Sequence, residues 1–228
     1  MKYYLLQQLS SNIKETGTQF QCVEGIIGDI QQDFIPDEGI IDFAFKLPEP
    51  FMEKKAIPTT RLYVGMIPSW FIVFRDYFVN VLKEFNVGEF QDWDIKVHWK
   101  GDVFDDYKLF YITKPVKSEV IDFENTLFYV GKSNDWKYVG ETLNFKNKDE
   151  FSIKRKELID KYFDIKPIHL QLNLSILKYD IFRISDIPIV GGFYFVSEKL
   201  KRYIEEQKFT GFAFQEIEEM DKRIKIIY

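Results

Sequence analysis

Two stretches of the chain repeat one alternation of apolar and polar positions. In the first, the run Trp70-Phe71-Ile72-Val73-Phe74 leads into residues 75–85, where Phe78, Leu82 and Phe85 recur at helical spacing, and then into a second strand-like run over 90–97. The second reads Phe193-Tyr194-Phe195-Val196, then 197–207 with Leu200, Tyr203 and Ile204 on one stripe, then 212–217. They align without a gap: Phe71 falls on Phe193, Phe78 on Leu200, Leu82 on Ile204 and Phe90 on Phe212. A short aromatic and β-branched run predicts a strand buried on both faces, and a single apolar stripe predicts a helix lying on a core. Ser197 stands where an N-cap belongs, and Glu198 suits the positive end of the helix that follows. Gly88 and Gly211 supply the backbone freedom needed to leave each helix, and Pro68 and Pro188 lie upstream of the strands. The pattern predicts two similar strand–helix–strand units, each a helix packed on a strand pair.

Around them the chain reads mostly as strand. Runs at 108–113, 126–130, 169–172, 180–184 and 223–228 are short, β-rich and bounded by turn residues, and Cys22 sits in an alternating segment with Phe20, Gln21 and Val23. A further helix is expected over 152–163, with Ile153, Leu158, Ile159 and Tyr162 apolar. The expected class is α+β, strand-rich, with mixed and antiparallel sheets. No segment has the Gly/Ser or Pro density of a tether, so residues 1–228 are expected to form one domain, with a strand-rich N-terminal portion over 1–60 and the two units within 61–228.

Charge narrows the partners. Thirty-one Lys and Arg against 36 Asp and Glu give a net charge of −5, the wrong sign for a general nucleic-acid binder. The single Cys22 excludes an internal disulfide framework and a zinc site built from several cysteines; with no basic neighbour in sequence it reads as a small core residue. Near the N-terminus the apolar patch is too short for a secretory signal, and the uncharged residues 62–74 are interrupted by Gly65 and Pro68, too short to span a bilayer. A cytoplasmic protein without a membrane partner is expected.

The sequence is poor in catalytic material. His98 lies among Lys96, Trp99 and Lys100, and His169 opens a strand. No nucleophile elbow and no phosphate-cradling glycine loop occurs, and Ser197 reads as a helix cap rather than a nucleophile. Asp102, Asp105 and Asp106 lack the spacing of a calcium loop and read as a loop tip. No enzyme activity, cofactor or metal is expected.

The phrase Ile189-Val190-Gly191-Gly192-Phe193-Tyr194-Phe195-Val196-Ser197-Glu198-Lys199-Leu200, followed by Thr210-Gly211-Phe212-Ala213-Phe214, resembles the C-terminal signature of immunity protein 11 of bacterial polymorphic toxin systems. That family commonly shows an aromatic strand, Val-Ser-Glu and a helix, then a Thr-Gly-aromatic strand. Asp180-Ile181-Phe182-Arg183-Ile184, residues 70–97 and residues 109–123 resemble its other elements, so the likeness spans roughly 68–217. Two places depart from it: Phe74-Arg75-Asp76 stands where a second Val-Ser-Glu often occurs, and Lys114-Pro115-Val116-Lys117-Ser118 lacks the usual central phrase. The resemblance implies a non-enzymatic antitoxin that binds a toxin effector domain and blocks it.

A toxin acting on nucleic acid tends to be basic, so carboxylates become the candidate contacts. They concentrate at Asp29, Asp33, Asp37 and Glu38, at Asp102, Asp105 and Asp106, and at Glu216, Glu218, Glu219 and Asp221. Trp93, Trp99 and Trp136 lie near charged or polar residues and are candidate anchors. The partner-binding set expected from sequence is Trp99, Asp102, Asp105, Asp106, Glu216, Glu218 and Glu219. Two other functions stay open: an enzyme or small-molecule-binding domain with a dispersed polar site near His98, and a structural partner in a secretion assembly.

Overall fold

The computed structural model describes residues 1–7, 12–22, 26–27, 35–65, 67–132, 135 and 137–228. In chain order its elements are β1 (Tyr3–Leu6), α1 (Ile13–Thr16), β2 (Ile26–Ile27), β3 (Glu49–Pro50), β4 (Arg61–Leu62), β5 (Phe71–Arg75), α2 (Asp76–Leu82), β6 (Phe90–Trp99) and β7 (Asp102–Ile112). The second half continues with β8 (Leu127–Lys132), β9 (Thr142–Leu143), α3 (Lys148–Ile159), β10 (Phe163–Asn173), β11 (Ile181–Arg183), β12 (Tyr194–Ser197), α4 (Glu198–Glu206), β13 (Phe214–Glu216) and β14 (Ile224–Ile227). The expected α+β, strand-rich class with antiparallel and mixed sheets is what forms.

Both predicted units are present, but neither helix lies on an adjacent strand pair. In the order β4-β5-β7-β6, strand β7 runs antiparallel between β5 and β6. In the order β11-β12-β1-β13, it is the N-terminal strand β1 that runs antiparallel between β12 and β13. Each helix therefore crosses over a strand that belongs to neither end of its unit. A third, unforeseen unit has the same plan: β9-α3-β10 encloses β8, and β14 adds in parallel to β10. Helix α3 starts at Lys148, four residues before the expected position, because Asn147 caps it by accepting the amide hydrogens of Asp149 and Glu150 at 3.0 Å. Among the described residues of 1–60 only β1, β2, β3 and isolated bridges are extended, and Cys22 makes a single bridge to Val64.

The continuous apolar runs follow from burial on both faces. Phe71, Val73, Leu109 and Tyr111 point outward from the first sheet, under a cover built from Cys22, Ile35, Ile41, Met52 and Ala56. Ile72, Phe74, Phe110 and Ile112 point inward and share one core with Phe78 and Leu82 of α2, Leu200 and Ile204 of α4, and Tyr194 and Val196 of β12. The opposite face of the second sheet, carrying Tyr3, Leu5, Phe182 and Phe195, packs on the third sheet and on Phe151 and Leu158 of α3.

The two predicted units interlock reciprocally. The turn after α2 reaches the strand leading into β11, where Asp180 N–H donates to the Asn86 carbonyl at 2.6 Å and Asn86 N–H donates to the Asp180 carboxylate at 3.1 Å. The turn after α4 reaches β4, where Arg61 N–H donates to the Thr210 carbonyl at 3.1 Å and Thr210 N–H donates to Thr60 Oγ1 at 3.2 Å. Gly211 has φ +84°, and a Cβ there would lie 2.1 Å from the Arg61 carbonyl oxygen, so only glycine permits this approach.

Ser197 caps α4 as expected, accepting Leu200 N–H at 3.1 Å while its hydroxyl donates to the buried Asp180 carboxylate at 2.6 Å. Removing it takes a partner from both. Ser197→Ala should lower the unfolding free energy by about 1–3 kcal/mol, seen as a lower urea midpoint at unchanged slope. Ser175→Ala, at an exposed hydroxyl, should shift stability by less than about 0.5 kcal/mol.

Candidate functional site

Strands β6 and β7 form the longest hairpin of the first sheet. Lys100 (φ 52°) and Gly101 (φ 93°) make its two-residue turn, with Trp99 paired to Asp102 across it. Two successive positive φ values are the turn geometry that matches the twist of such a ribbon. A bulge between Ile95 and Val97 shifts the register and adds twist towards the tip.

Near its root the inner face of the ribbon is apolar, with Phe90 and Phe110 in the shared core. Beyond α2 the same face turns polar. Lys108 bridges Asp92 at 3.2 Å and Asp94 at 2.7 Å, and Arg75 pairs with Asp106 while its guanidinium lies 4.1 Å from the Tyr107 ring centre. The hydrogen bond that Lys108 donates to Asp94 raises the pKa of its ammonium above the ordinary range. Asp102 and Asp105 are exposed, and the Asp94 side chain is 79% exposed. Three carboxylates, Asp92, Asp94 and Asp106, are thus held by the cations of Lys108 and Arg75, while Asp102 and Asp105 stand exposed nearer the tip.

The edge of β6 is lined by residues 49–53. Phe51 bridges to His98, Met52 N–H donates to the His98 carbonyl at 2.8 Å, and Trp99 Nε1–H donates to the Glu53 carbonyl at 3.1 Å. The Phe51 ring stacks on the His98 imidazole at 4.4 Å, and His98 Nε2 meets the Glu49 carboxylate at 3.0 Å. An open groove of about 580 Å³ follows, lined by Phe51, Met52, His98, Trp99, Lys54 and Asp102. Lys100 Nζ rests 4.0 Å from the Trp99 ring centre. The groove sets the rings of Phe51, His98 and Trp99 beside the Asp102 carboxylate and the Lys54 and Lys100 cations, an arrangement suited to holding a side chain of another molecule.

Four of the expected residues, Trp99, Asp102, Asp105 and Asp106, thus come together at the ribbon. Asp106 is engaged by Arg75 rather than waiting for a partner. The other three lie elsewhere, at the β13 edge of the second sheet. Glu216 is paired with Lys2 at 2.5 Å, Glu218 accepts from the Tyr228 hydroxyl at 3.2 Å, and Glu219 is exposed. Asp221 beside them is bound by Arg223 at 2.6 Å. Glu38 pairs with Lys117 at 2.5 Å. Asp29, Asp33 and Trp136 lie outside the described residues.

Asp92 and Asp94 escaped the sequence reading, although their period-two spacing around Trp93 placed both on one face of a strand. Glu49 and Phe51 had no such signal, since only the fold brings them to His98. His169 sits on β10, paired with Leu127 in the third sheet, so the two imidazoles occupy different sheets. Among the described residues no three His, Cys, Asp or Glu side chains are grouped as metal ligands, and no helix is long and apolar enough to cross a membrane.

No protein-family model matches the chain, and a search of curated proteins returns no match.

The hydrogen bond from Arg223 holds the Asp221 carboxyl down to about 2. Its folded value lies below the unfolded one of about 3.9, so the stabilisation is complete above that value and is lost as pH falls towards 2. Urea midpoints between pH 5 and pH 2 should fall more steeply for the unaltered protein than for Arg223→Gln. Equal slopes would show that the pair does not form in solution.

Proposed function

We propose that this protein is an immunity protein, which neutralises a bacterial toxin effector domain by docking onto it without turnover. The observation that carries the reading is the tip of the β6–β7 ribbon, where Asp102 lines the aromatic groove of Phe51, His98 and Trp99, Asp105 is exposed on the same strand, and Asp106, Asp94 and Asp92 follow towards the root. A basic effector would be steered towards such a ribbon, and side chains entering the groove would slow its departure. The likeness of residues 189–214 to the immunity signature supports the same reading, and a basic partner would suit the exposed Asp102 and Asp105 carboxylates. Trp99 is the anchor in this scheme, and Asp102 and Asp105 act mainly on the rate of encounter.

A second reading rests on the His98–Glu49 pair at the groove wall: a carboxylate-oriented imidazole beside an open groove could serve a small-molecule site.

Co-expression with the product of the adjacent gene should give a stoichiometric complex and restore growth against its toxicity. Asp102→Lys with Asp105→Lys should slow association about tenfold at low salt and flatten its salt dependence, while Glu219→Lys measures any contribution of the β13 edge. Unchanged association in the double variant would remove the ribbon from the interface. Absence of both complex and rescue, together with a turnover abolished by His98→Ala, would replace docking by the second reading.

A further inference from the structure

Arg183 is 1% exposed, the bulkiest of the fully buried side chains. Its Nη2 donates to the main-chain carbonyl of Asp37, its Nε–H has no acceptor, and it forms no ion pair among the described residues. The guanidinium lies 5.9 Å from the Tyr111 ring centre, a weak compensation for a buried charge. Trp70 Nε1–H is a second buried donor without an acceptor. Tyr194, the register partner of Arg183, donates its hydroxyl to the Trp70 carbonyl at 2.6 Å.

The covalent geometry of arginine makes this pattern informative. Nε–H and Nη2–H point the same way and form the side-on fork that takes two oxygens of a carboxylate or phosphate. Here a single carbonyl oxygen takes one prong, and the other meets no protein acceptor among the described residues. That carbonyl belongs to residues 35–41, a strap whose ends, Ile35 and Ile41, are buried while 36–40 are exposed. Gly39 N–H donates to the Thr113 carbonyl at 2.7 Å, the Tyr111 hydroxyl donates to the Pro36 carbonyl at 3.3 Å, and Glu38 pairs with Lys117. The strap carries two charges, Asp37 and Glu38, both exposed, and Glu38 is held by Lys117.

We propose that Arg183 is the receptor of a small oxyanion site, for a carboxylate or phosphate-class group that takes the side-on fork when the strap moves aside. The site is independent of the docking ribbon, which belongs to β6 and β7. Displacement of the Asp37 carbonyl fills both prongs at once and supplies the missing counter-charge.

The test is thermal unfolding of the full chain with acetate or with inorganic phosphate, at an ionic strength held constant with chloride. A rise of a few degrees that saturates is expected with at least one of the two, together with faster exchange of the Gly39 amide; which anion acts assigns the class. Both effects should vanish in Arg183→Lys, which keeps the charge without the fork, and in Arg183→Met, and persist in Arg155→Gln. A rise that never saturates, or that survives both Arg183 variants, is a general salt effect and overturns the site. Should the variants fail to fold, calorimetric titration of the unaltered protein with phosphate and acetate decides. No saturable heat with either leaves internal water as the partner of these donors and overturns it too.

Discussion

The structure depends on one shared aromatic core between two units of the same plan. Phe78 from α2 meets Phe209 at 5.2 Å and Phe212 at 5.0 Å, both from the turn after α4, and Phe74 stacks on Phe212 at 6.1 Å. Phe85 and Tyr203 close the other end at 5.3 Å. Burying such a ring contributes a few kcal/mol, and each ring here also adds edge or stacking contact. A sheet of four short strands with one helix is a marginal object; two of them facing a common core are not. The reciprocal hydrogen bonds at Asn86–Asp180 and Arg61–Thr210 fix the angle at which they meet.

That arrangement leaves β6 and β7 rigid at the root and exposed at the tip. Their inner face is packed where it meets Phe90 and Phe110 and turns to charge where the helices no longer cover it. Surface pairs such as Lys108 with Asp94 contribute little to stability. Their consequence is positional, since they hold Asp92, Asp94 and Asp106, while Asp102 and Asp105 are exposed. The acidic groups near β13 are treated differently: Lys2, Tyr228 and Arg223 each engage one, and only Glu219 faces solvent without such a contact in that stretch. A charge run in sequence is therefore a poor measure of the field a partner meets.

The burial of polar groups separates structure from opportunity in the same way. Asp180 has the Ser197 hydroxyl, the Asn86 amide and Lys199 around it, so its burial consolidates the junction of the two units. Arg183, comparably buried, holds one carbonyl and leaves a donor unused. A satisfied buried charge adds specificity to a fold, whereas an unsatisfied one marks a place where the described state is not the best partner.

The strand–helix–strand periods, the Ser197 cap, the glycines after each helix and the strand-rich class were all legible in the sequence, because each depends on residues within one or two turns of each other. That Trp99, Asp102, Asp105 and Asp106 lie together follows from their nearness in sequence, but the three aspartates, read as a loop tip, stand on strand β7 because the turn is confined to Lys100 and Gly101. What lay beyond it was pairing at a distance. Nothing local in Tyr3–Leu6 says that it will lie between β12 and β13, some 190 positions on, and nothing in Glu49 or Phe51 points to His98. Helix α3 was misplaced because its apolar positions do not form one stripe, its start being set instead by the Asn147 cap. The sequence by itself determined the elements and their buried faces, since side-chain period is a local property of the backbone. Tertiary structure alone decided which strand fills each split unit, which acidic groups stay available and which arginine is left without a full set of acceptors, because those follow from contacts between segments that chain order does not bring together.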